Sequence, residues 1–260
     1  MNRSDFDFVD DPTVAINDEG FVGIAWADQS RHDIFFQVYG PSPRRPAALA
    51  RTRGESGSGR AGGPAGTKRL AEPVNVSKSP RIFSWLPRLV IGPGDANDAY
   101  LLWQEIVFSP GGTHGGEAFF ARSTDGGRTF GQPINLSNSI AGDGKGRLTR
   151  RFWHNGSLDL GQGPEGHLYA AWTEYQGKLW FSRSTDGGVS FSDPLHVAGD
   201  KQAPARGPSL AVDAEGGTVY LAWTVGEDAA ADIRFAKSVD QGRSFGEPRI
   251  VFLSGGHADA

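Results

Sequence analysis

One eight-residue pattern recurs three times in this chain and constrains its folding more than any other feature. It reads Ser123-Thr-Asp-Gly-Gly-Arg-Thr-Phe130, then Ser184-Thr-Asp-Gly-Gly-Val-Ser-Phe191, then Ser238-Val-Asp-Gln-Gly-Arg-Ser-Phe245. The shared residues are Ser123, Asp125, Gly127 and Phe130; Ser184, Asp186, Gly188 and Phe191; Ser238, Asp240, Gly242 and Phe245. Ser and Asp side chains bond nearby backbone groups and so replace the ladder bonds that a turn loses. Gly admits positive φ, which a sharp reversal needs. Phe adds an apolar anchor. Each copy is therefore expected to be a hairpin tip between two strands, and its Asp is expected to serve turn geometry and not catalysis.

These residues resemble the Asp-box, or BNR repeat, of the sialidase superfamily and other β-propellers. The third copy departs from the pattern at Gln241, where the others carry Gly126 and Gly187. The resemblance implies a turn between the third and fourth strands of a propeller blade, on the face away from the active site.

Working outward from the turns, the chain divides into four units of four strands. The first has Thr13-Val-Ala-Ile16, Phe21-Val-Gly-Ile-Ala-Trp26, Asp33-Ile-Phe-Phe-Gln-Val-Tyr39 and Glu72-Pro-Val-Asn-Val-Ser77. The second places Ala99-Tyr-Leu-Leu-Trp103 and Glu117-Ala-Phe-Phe-Ala-Arg122 before its turn; the third, His167-Leu-Tyr-Ala-Ala-Trp172 and Lys178-Leu-Trp-Phe-Ser-Arg183; the fourth, Thr218-Val-Tyr-Leu-Ala-Trp223 and Asp232-Ile-Arg-Phe-Ala-Lys237. Every fourth strand opens with Pro after an acidic residue or Gln, which suits an outermost strand with a free backbone edge. Trp26, Trp103, Trp172 and Trp223 are expected to fill the wedges between neighbouring blades. No stretch has a helical period. The expectation is an all-β propeller of about four four-stranded blades, one domain over residues 1–260. It is either a closed four-bladed ring or part of a larger propeller, because a full sialidase propeller has six blades and neither end here supplies a strand shared across a closure.

The first unit has no repeat turn. In its place, residues 40–71 form a stretch rich in Pro, Gly, Ala, Ser and Arg, expected to be a flexible insertion because it can bury little apolar surface. Its Arg44, Arg45, Arg51, Arg53, Arg60, Lys68 and Arg69 are read as a solvated loop in preference to a polyanion-binding arm.

A net charge of −4 argues against nucleic acid as a partner. No apolar run reaches the length of a membrane span. The chain has no Cys, so it forms no disulfide and leaves the redox compartment open. The opening Met1-Asn-Arg-Ser-Asp-Phe-Asp-Phe lacks the apolar region of a signal peptide. A cytoplasmic protein and a mature or trimmed form both fit that opening, and the family resemblance favours a secreted or periplasmic one. The six His show no metal-ligand spacing, no Gly-rich phosphate loop or nucleophile elbow is present, and neither metal nor cofactor is expected.

Chemistry is expected at the opposite mouth of the channel, on the loops joining second to third strands and fourth strands to the next blade. A carboxylate follows the repeat Trp by two residues at Asp28, Glu105 and Glu174; these and Tyr175 are the candidate catalytic groups. Arg81, Arg88, Arg147, Arg150, Arg151 and Arg206 precede first strands, accompanied by Trp85, Trp153 and His154; these are the ligand-binding candidates. Arg can hold a carboxylate by paired hydrogen bonds, and aromatic faces suit the apolar face of a sugar. Sialidases, by resemblance, use three Arg, an Asp acid/base and a Tyr–Glu nucleophile pair. The family's opening Arg-Ile-Pro is absent, and Trp85-Leu-Pro-Arg88 places its Arg after the Pro. Three readings follow: a sialidase-like propeller that binds a glycan or other ligand at its mouth, an exo-alpha-sialidase or related glycoside hydrolase, and a protein-interaction scaffold with a protein partner.

Overall fold

Each unit folds as an antiparallel sheet, and in blades 2 to 4 the strands are joined by connections too short for a crossover. The computed structural model describes residues 9–41, 67–79, 82–93, 98–108, 114–138, 148–149, 152–153, 158–174, 177–215, 217–226 and 231–254. Blade 1 contains β1 (Val9–Ile16), β2 (Val22–Asp28) and β3 (Asp33–Pro41), with β4 (Thr67–Arg69) and β5 (Val74–Asn75) both pairing with β3. Blade 2 runs β6 (Phe83–Ile91), β7 (Ala99–Phe108), β8 (His114–Ser123) and β9 (Ile134–Asn135). A two-stranded hairpin follows, β10 (Leu148–Thr149) with β11 (Phe152–Trp153). Blade 3 is β12 (Leu158–Gln162), β13 (Leu168–Thr173), β14 (Leu179–Ser184) and β15 (Leu195–Ala198). Blade 4 is β16 (Ala205–Val212), β17 (Val219–Val225), β18 (Asp232–Ser238) and β19 (Arg249–Phe252). First strands of successive blades contact one another, β1 with β6, β6 with β12 and β12 with β16, so they are innermost. The chain is an all-β propeller of four blades, three of them four-stranded and the first with β4 and β5 sharing the outer edge of β3. Among the described residues no helix is long and apolar enough to cross a membrane.

The stretch expected to be an insertion is partly sheet. β3 extends through Gly40 to Pro41, and Thr67–Arg69 pairs back onto it at Tyr39, Gly40 and Pro41. Leu70 lies against Gly40, where a Cβ would fall 2.9 Å from its Cδ1. Residues 42–66 lie outside the described residues.

The three turns share one set of bonds. Ser123 Oγ donates to Asp125 Oδ1 (2.7 Å) and accepts the Gly127 N–H (2.8 Å). Asp125 Oδ1 accepts the backbone N–H of Arg128 and Thr129, and its Oδ2 accepts the Thr129 hydroxyl (2.6 Å). Ser184 and Asp186 repeat this with Gly188, Val189 and Ser190; Ser238 and Asp240 repeat it with Gly242 and Ser244. Burial pushes the Asp125 carboxyl up, but the bonds from Thr129, Ser123 and Arg128 outweigh it and leave the group below its ordinary value. The Ser190 hydroxyl leads in bringing Asp186 down to about 2, and the Ser238 and Ser244 hydroxyls lower Asp240. A carboxylate that accepts several donors is stabilised in its charged form.

Each turn also reaches the preceding blade. The rings of Phe36 and Phe130 meet edge to face at 5.2 Å, Phe120 and Phe191 at 4.8 Å, Phe181 and Phe245 at 4.9 Å. The shared Gly of each turn sits on the same third-strand ring, with a Cβ at Gly188 falling 2.8 Å from Phe120 and one at Gly242 falling 2.7 Å from Phe181. Arg122 donates to the Gly187 carbonyl (2.9 Å), and Arg183 to that of Gln241 (3.4 Å).

Three apolar cores join the four blades. Trp103 lies in the core between blades 1 and 2, Trp172 in that between 2 and 3, and Trp223 in that between 3 and 4. Each repeat Trp therefore fills the wedge in front of its own blade, as expected for three of the four. Trp26 is half-buried and belongs to none of these cores, because its position faces the side of blade 1 that no described blade covers.

Candidate functional site

The inner strands of blades 1, 2 and 4 share a local irregularity at one end. The pairing with the second strand slips between Asp10 and Thr13, between Trp85 and Arg88, and between Arg206 and Ser209. Each slip contains a Pro, at Pro12, Pro87 and Pro208, which cannot donate to the ladder. The residue before that Pro has positive φ: Asp11 at 48°, Leu86 at 53° and Gly207 at 55°. Gly tolerates this conformation, whereas Leu and Asp adopt it only when held. A bulge of this kind re-aims the side chains beside it.

On one side of the bulges, Asp10, Trp85 and Arg206 occupy a single register position. They pair with Ala27, Gln104 and Thr224, each the residue directly after the repeat Trp. This end carries the connections between second and third strands, so it is the mouth opposite the repeat turns. Arg206 is buried there, and its Nη1 donates to the Ala205 carbonyl (2.8 Å). Asp10 accepts a bond from Gln29 (2.9 Å).

On the other side, Thr13, Arg88, Asp159 and Ser209 share the next position, each opposite the residue preceding the repeat Trp. Here the blades are tied through charge. Arg88 Nε lies 4.0 Å from Asp159 Oδ1, and Asp159 Oδ2 accepts the Leu210 N–H at 2.7 Å. Asp11 accepts the backbone N–H of Leu86 and lies within the field of Arg88. Burial raises both carboxyls above their ordinary values, with Asp10 adding to the effect at Asp11, against the lowering pull of their hydrogen bonds and Arg88. Asp11, Arg88 and Asp159 thus form a chain of charge across blades 1 to 3 whose last bond reaches blade 4.

The three carboxylates that follow the repeat Trp are buried and engaged with their own surroundings. Asp28 Oδ1 accepts from the Ser30 N–H and hydroxyl (2.9 and 2.6 Å), and its Oδ2 faces Arg31 Nε at 3.6 Å. Glu105 Oε1 accepts the Trp103 indole N–H (3.1 Å) and the Ser79 hydroxyl (2.8 Å). Burial raises the Glu105 carboxyl, while these two bonds oppose the shift. Glu174 Oε2 accepts the Trp180 indole N–H at 3.1 Å, and its Oε1 lies 3.7 Å from Lys178 Nζ. A cavity of about 230 Å³ opens at the same end between blades 3 and 4, lined by Trp223, Val225, Arg234 and Asp200 among others.

Arg88 and Arg206 are therefore placed on neighbouring register positions of inner strands, with Trp85 level with Arg206. Trp153 belongs to β11. Arg81, Arg147, Arg150, Arg151, His154 and Tyr175 lie outside the described residues. Asp10 and Asp159 were not among the site candidates. The recurring Pro of the inner strands, at Asp11-Pro12, Leu86-Pro87 and Gly207-Pro208, was the available signal for the first. Asp159 had none, since its partners come from other blades. Among the described residues no group of three or more His, Asp or Glu is arranged to hold a metal.

No protein-family model and no curated protein matches this chain. Solved structures do. A polysaccharide lyase, a PL25 ulvan lyase bound to a glucuronate–rhamnose-3-sulfate saccharide, superimposes with a TM-score of 0.54 at 15% identity, covering 93% of this chain and 55% of the lyase. The NanB sialidase from Streptococcus pneumoniae matches with a TM-score of 0.53 at 10% identity, over 94% of this chain and 52% of the enzyme. The intramolecular trans-sialidase from Ruminococcus gnavus, in complex with oseltamivir carboxylate, matches with a TM-score of 0.55 at 11% identity, over 94% of this chain and 71% of that one. The chain thus spans about half the length of the lyase and of NanB. At these identities the likeness is one of fold.

Proposed function

We propose that this chain is a sialidase-like Asp-box propeller, one domain with an insertion within residues 40–71, whose channel mouth binds an acidic glycan. One observation carries this reading. The same bulge recurs on three inner strands and presents Asp10, Trp85 and Arg206 at one level of the mouth. Guanidinium and indole are the groups that a carboxylated sugar calls for: paired hydrogen bonds to the carboxylate and an aromatic face for the ring. Arg206-Gly207-Pro208 also has the Arg-x-Pro spacing of the family's Arg-Ile-Pro, though in the fourth unit and not the first. The solved structures of similar fold include an ulvan lyase with an acidic saccharide and two proteins named as sialidases.

Binding without hydrolysis is favoured over an exo-sialidase. Asp28, Glu105 and Glu174 each hold an indole or a loop in place, and a general acid so engaged is poorly placed to reach a substrate. The test is a glycan array combined with a fluorogenic sialoside assay on wild type, Arg206→Lys and Trp85→Ala. Arg206→Lys keeps the charge and loses the paired geometry. Expected are binding to glycans bearing sialic or uronic acid, weakened at least about tenfold in either variant, and no turnover. Sialoside turnover would replace this reading with the enzyme; an array blank for acidic glycans would remove it.

A further inference from the structure

The contacts that blades 2 and 3 make with the blade after them are copies of one another, and the fourth blade carries the same contact surface without a cover; blade 1 has Gly23 opposite Val38 where they have Tyr100 opposite Arg122 and Tyr169 opposite Arg183. In blade 2, Tyr100 stacks on Phe120 (6.3 Å, 18°); in blade 3, Tyr169 stacks on Phe181 (6.0 Å, 25°). All four rings are buried, because the repeat turn of the following blade sits on them. Blade 4 has the same pair, Tyr220 stacked on Phe235 at 6.0 Å and 23°, and both rings are only half-buried. Val251 follows Arg249 by two residues, as the buried Val76 and Leu136 follow Val74 and Ile134, but it lies in a register slip that those two lack and is 63% exposed. Lys237 stands where Arg122 and Arg183 donate to the next turn's carbonyl, and it is exposed.

We propose that this face of blade 4 is a docking surface for a further blade bearing the Ser-x-Asp-x-Gly-x-[Ser/Thr]-Phe turn. Its features specify the occupant. A Gly without a Cβ must seat on Phe235, a Phe must meet that ring edge-on, and a backbone carbonyl must accept from Lys237. Each of these is supplied by a repeat turn at all the internal interfaces that have the matching residues. The first blade of a second copy does not qualify. It carries no such turn, so a head-to-tail pair of chains would bring Trp26, Val14 and Ile16 to this face but neither the Gly nor the Phe. For the same reason blade 1 does not serve as the closing neighbour of blade 4 in a four-bladed ring. Among the described residues no core joins the two, and Val14 and Ile16 are 66% and 67% exposed where their counterparts Leu89 and Ile91 are buried. The inference is independent of the ligand at the mouth.

The experiment appends a second copy of residues 199–254, which carries its own turn from Ser238 to Phe245, after Phe252 of the full chain. The extended protein and the original are compared by thermal unfolding and sedimentation, each with and without Phe235→Ala in the original blade 4. Expected is one cooperative transition at higher temperature for the extended protein. Phe235→Ala should lower it by about 6 °C or more, as for a core Phe, while shifting the original chain much less. Independent unfolding of the added blade would overturn the proposal, as would equal shifts from Phe235→Ala in both proteins. So would dimerisation of the original chain that Phe235→Ala abolishes, since the occupant would then be a second copy.

Discussion

Gly188 rests on the ring of Phe120, one blade away: a Cβ added to Gly188 would lie 2.8 Å from the ring's Cζ. The turn therefore has two jobs. Its Ser and Asp close the hairpin, and its Gly and Phe fasten that hairpin to the neighbouring blade.

The two requirements on this Gly can be separated by mutation. Gly188 and Gly20 share φ of +79°, but a Cβ at Gly20 meets nothing within 4 Å. Gly20→Ala is expected to cost about 1 kcal/mol, the backbone penalty alone. Gly188→Ala adds overpacking against Phe120, for a total of about 2–4 kcal/mol. Chemical denaturation of the two variants measures both; equal losses would show that the ring contact is irrelevant.

The repeat Trp offers a second internal comparison. Trp103 is fully buried between blades 1 and 2, whereas Trp26, at the same position of its blade, is half-buried. Trp103→Ala should destabilise by about 3–5 kcal/mol and Trp26→Ala by less than half as much. Denaturant midpoints at constant slope report the difference.

The turn carboxylates predict a response to acid. Asp186 has a folded-state value of about 2, below the ordinary 3.8. Its contribution is fully present above the unfolded value and is lost as pH falls through the folded one. Stability should therefore fall between about pH 4 and pH 2, and Asp186→Asn should flatten that fall while lowering stability at neutral pH. Thermal melts at successive pH values follow it. A variant whose pH profile parallels the wild type would show that Asp186 is not the source.

Asp159 ties blade 3 to blade 4 through the Leu210 N–H and faces Arg88 of blade 2. Asp159→Asn retains an acceptor and loses only a partly solvated ion pair, so a change of about 1 kcal/mol or less is expected. Asp159→Leu leaves the Leu210 N–H without its acceptor and should cost about 1–3 kcal/mol. Amide exchange at Leu210 gives a direct readout: faster in the Leu variant, near wild type in the Asn variant.

The mouth was only partly legible in the sequence. Arg88, Arg206 and Trp85 stood out as residue types suited to an acidic sugar, but nothing in their spacing revealed that Trp85 and Arg206 share a level with Asp10 while Arg88 lies one position away. That level comes from bulges at Pro12, Pro87 and Pro208, which shift the register of three strands against their partners. Glu105 and Glu174 fell at equivalent positions after the repeat Trp, and equivalence suggested a shared role at the mouth. They accept instead the indole N–H of Trp103 and of Trp180, and Glu105 also the Ser79 hydroxyl.

The hairpin turns could be read from the chain alone because the Ser and Asp side-chain bonds that shape them span four residues or fewer. Such bonds form wherever Ser, Asp and Gly recur at that spacing, and their repetition phases the four blades. The partnership between blades is different in kind. Gly188 with Phe120, Arg88 with Asp159 and Asp159 with Leu210 all join residues more than fifty positions apart. Which face of a blade is covered, and which is left open at Phe235 and Val14, depends on how the blades pack. That was settled only when the sheets came together.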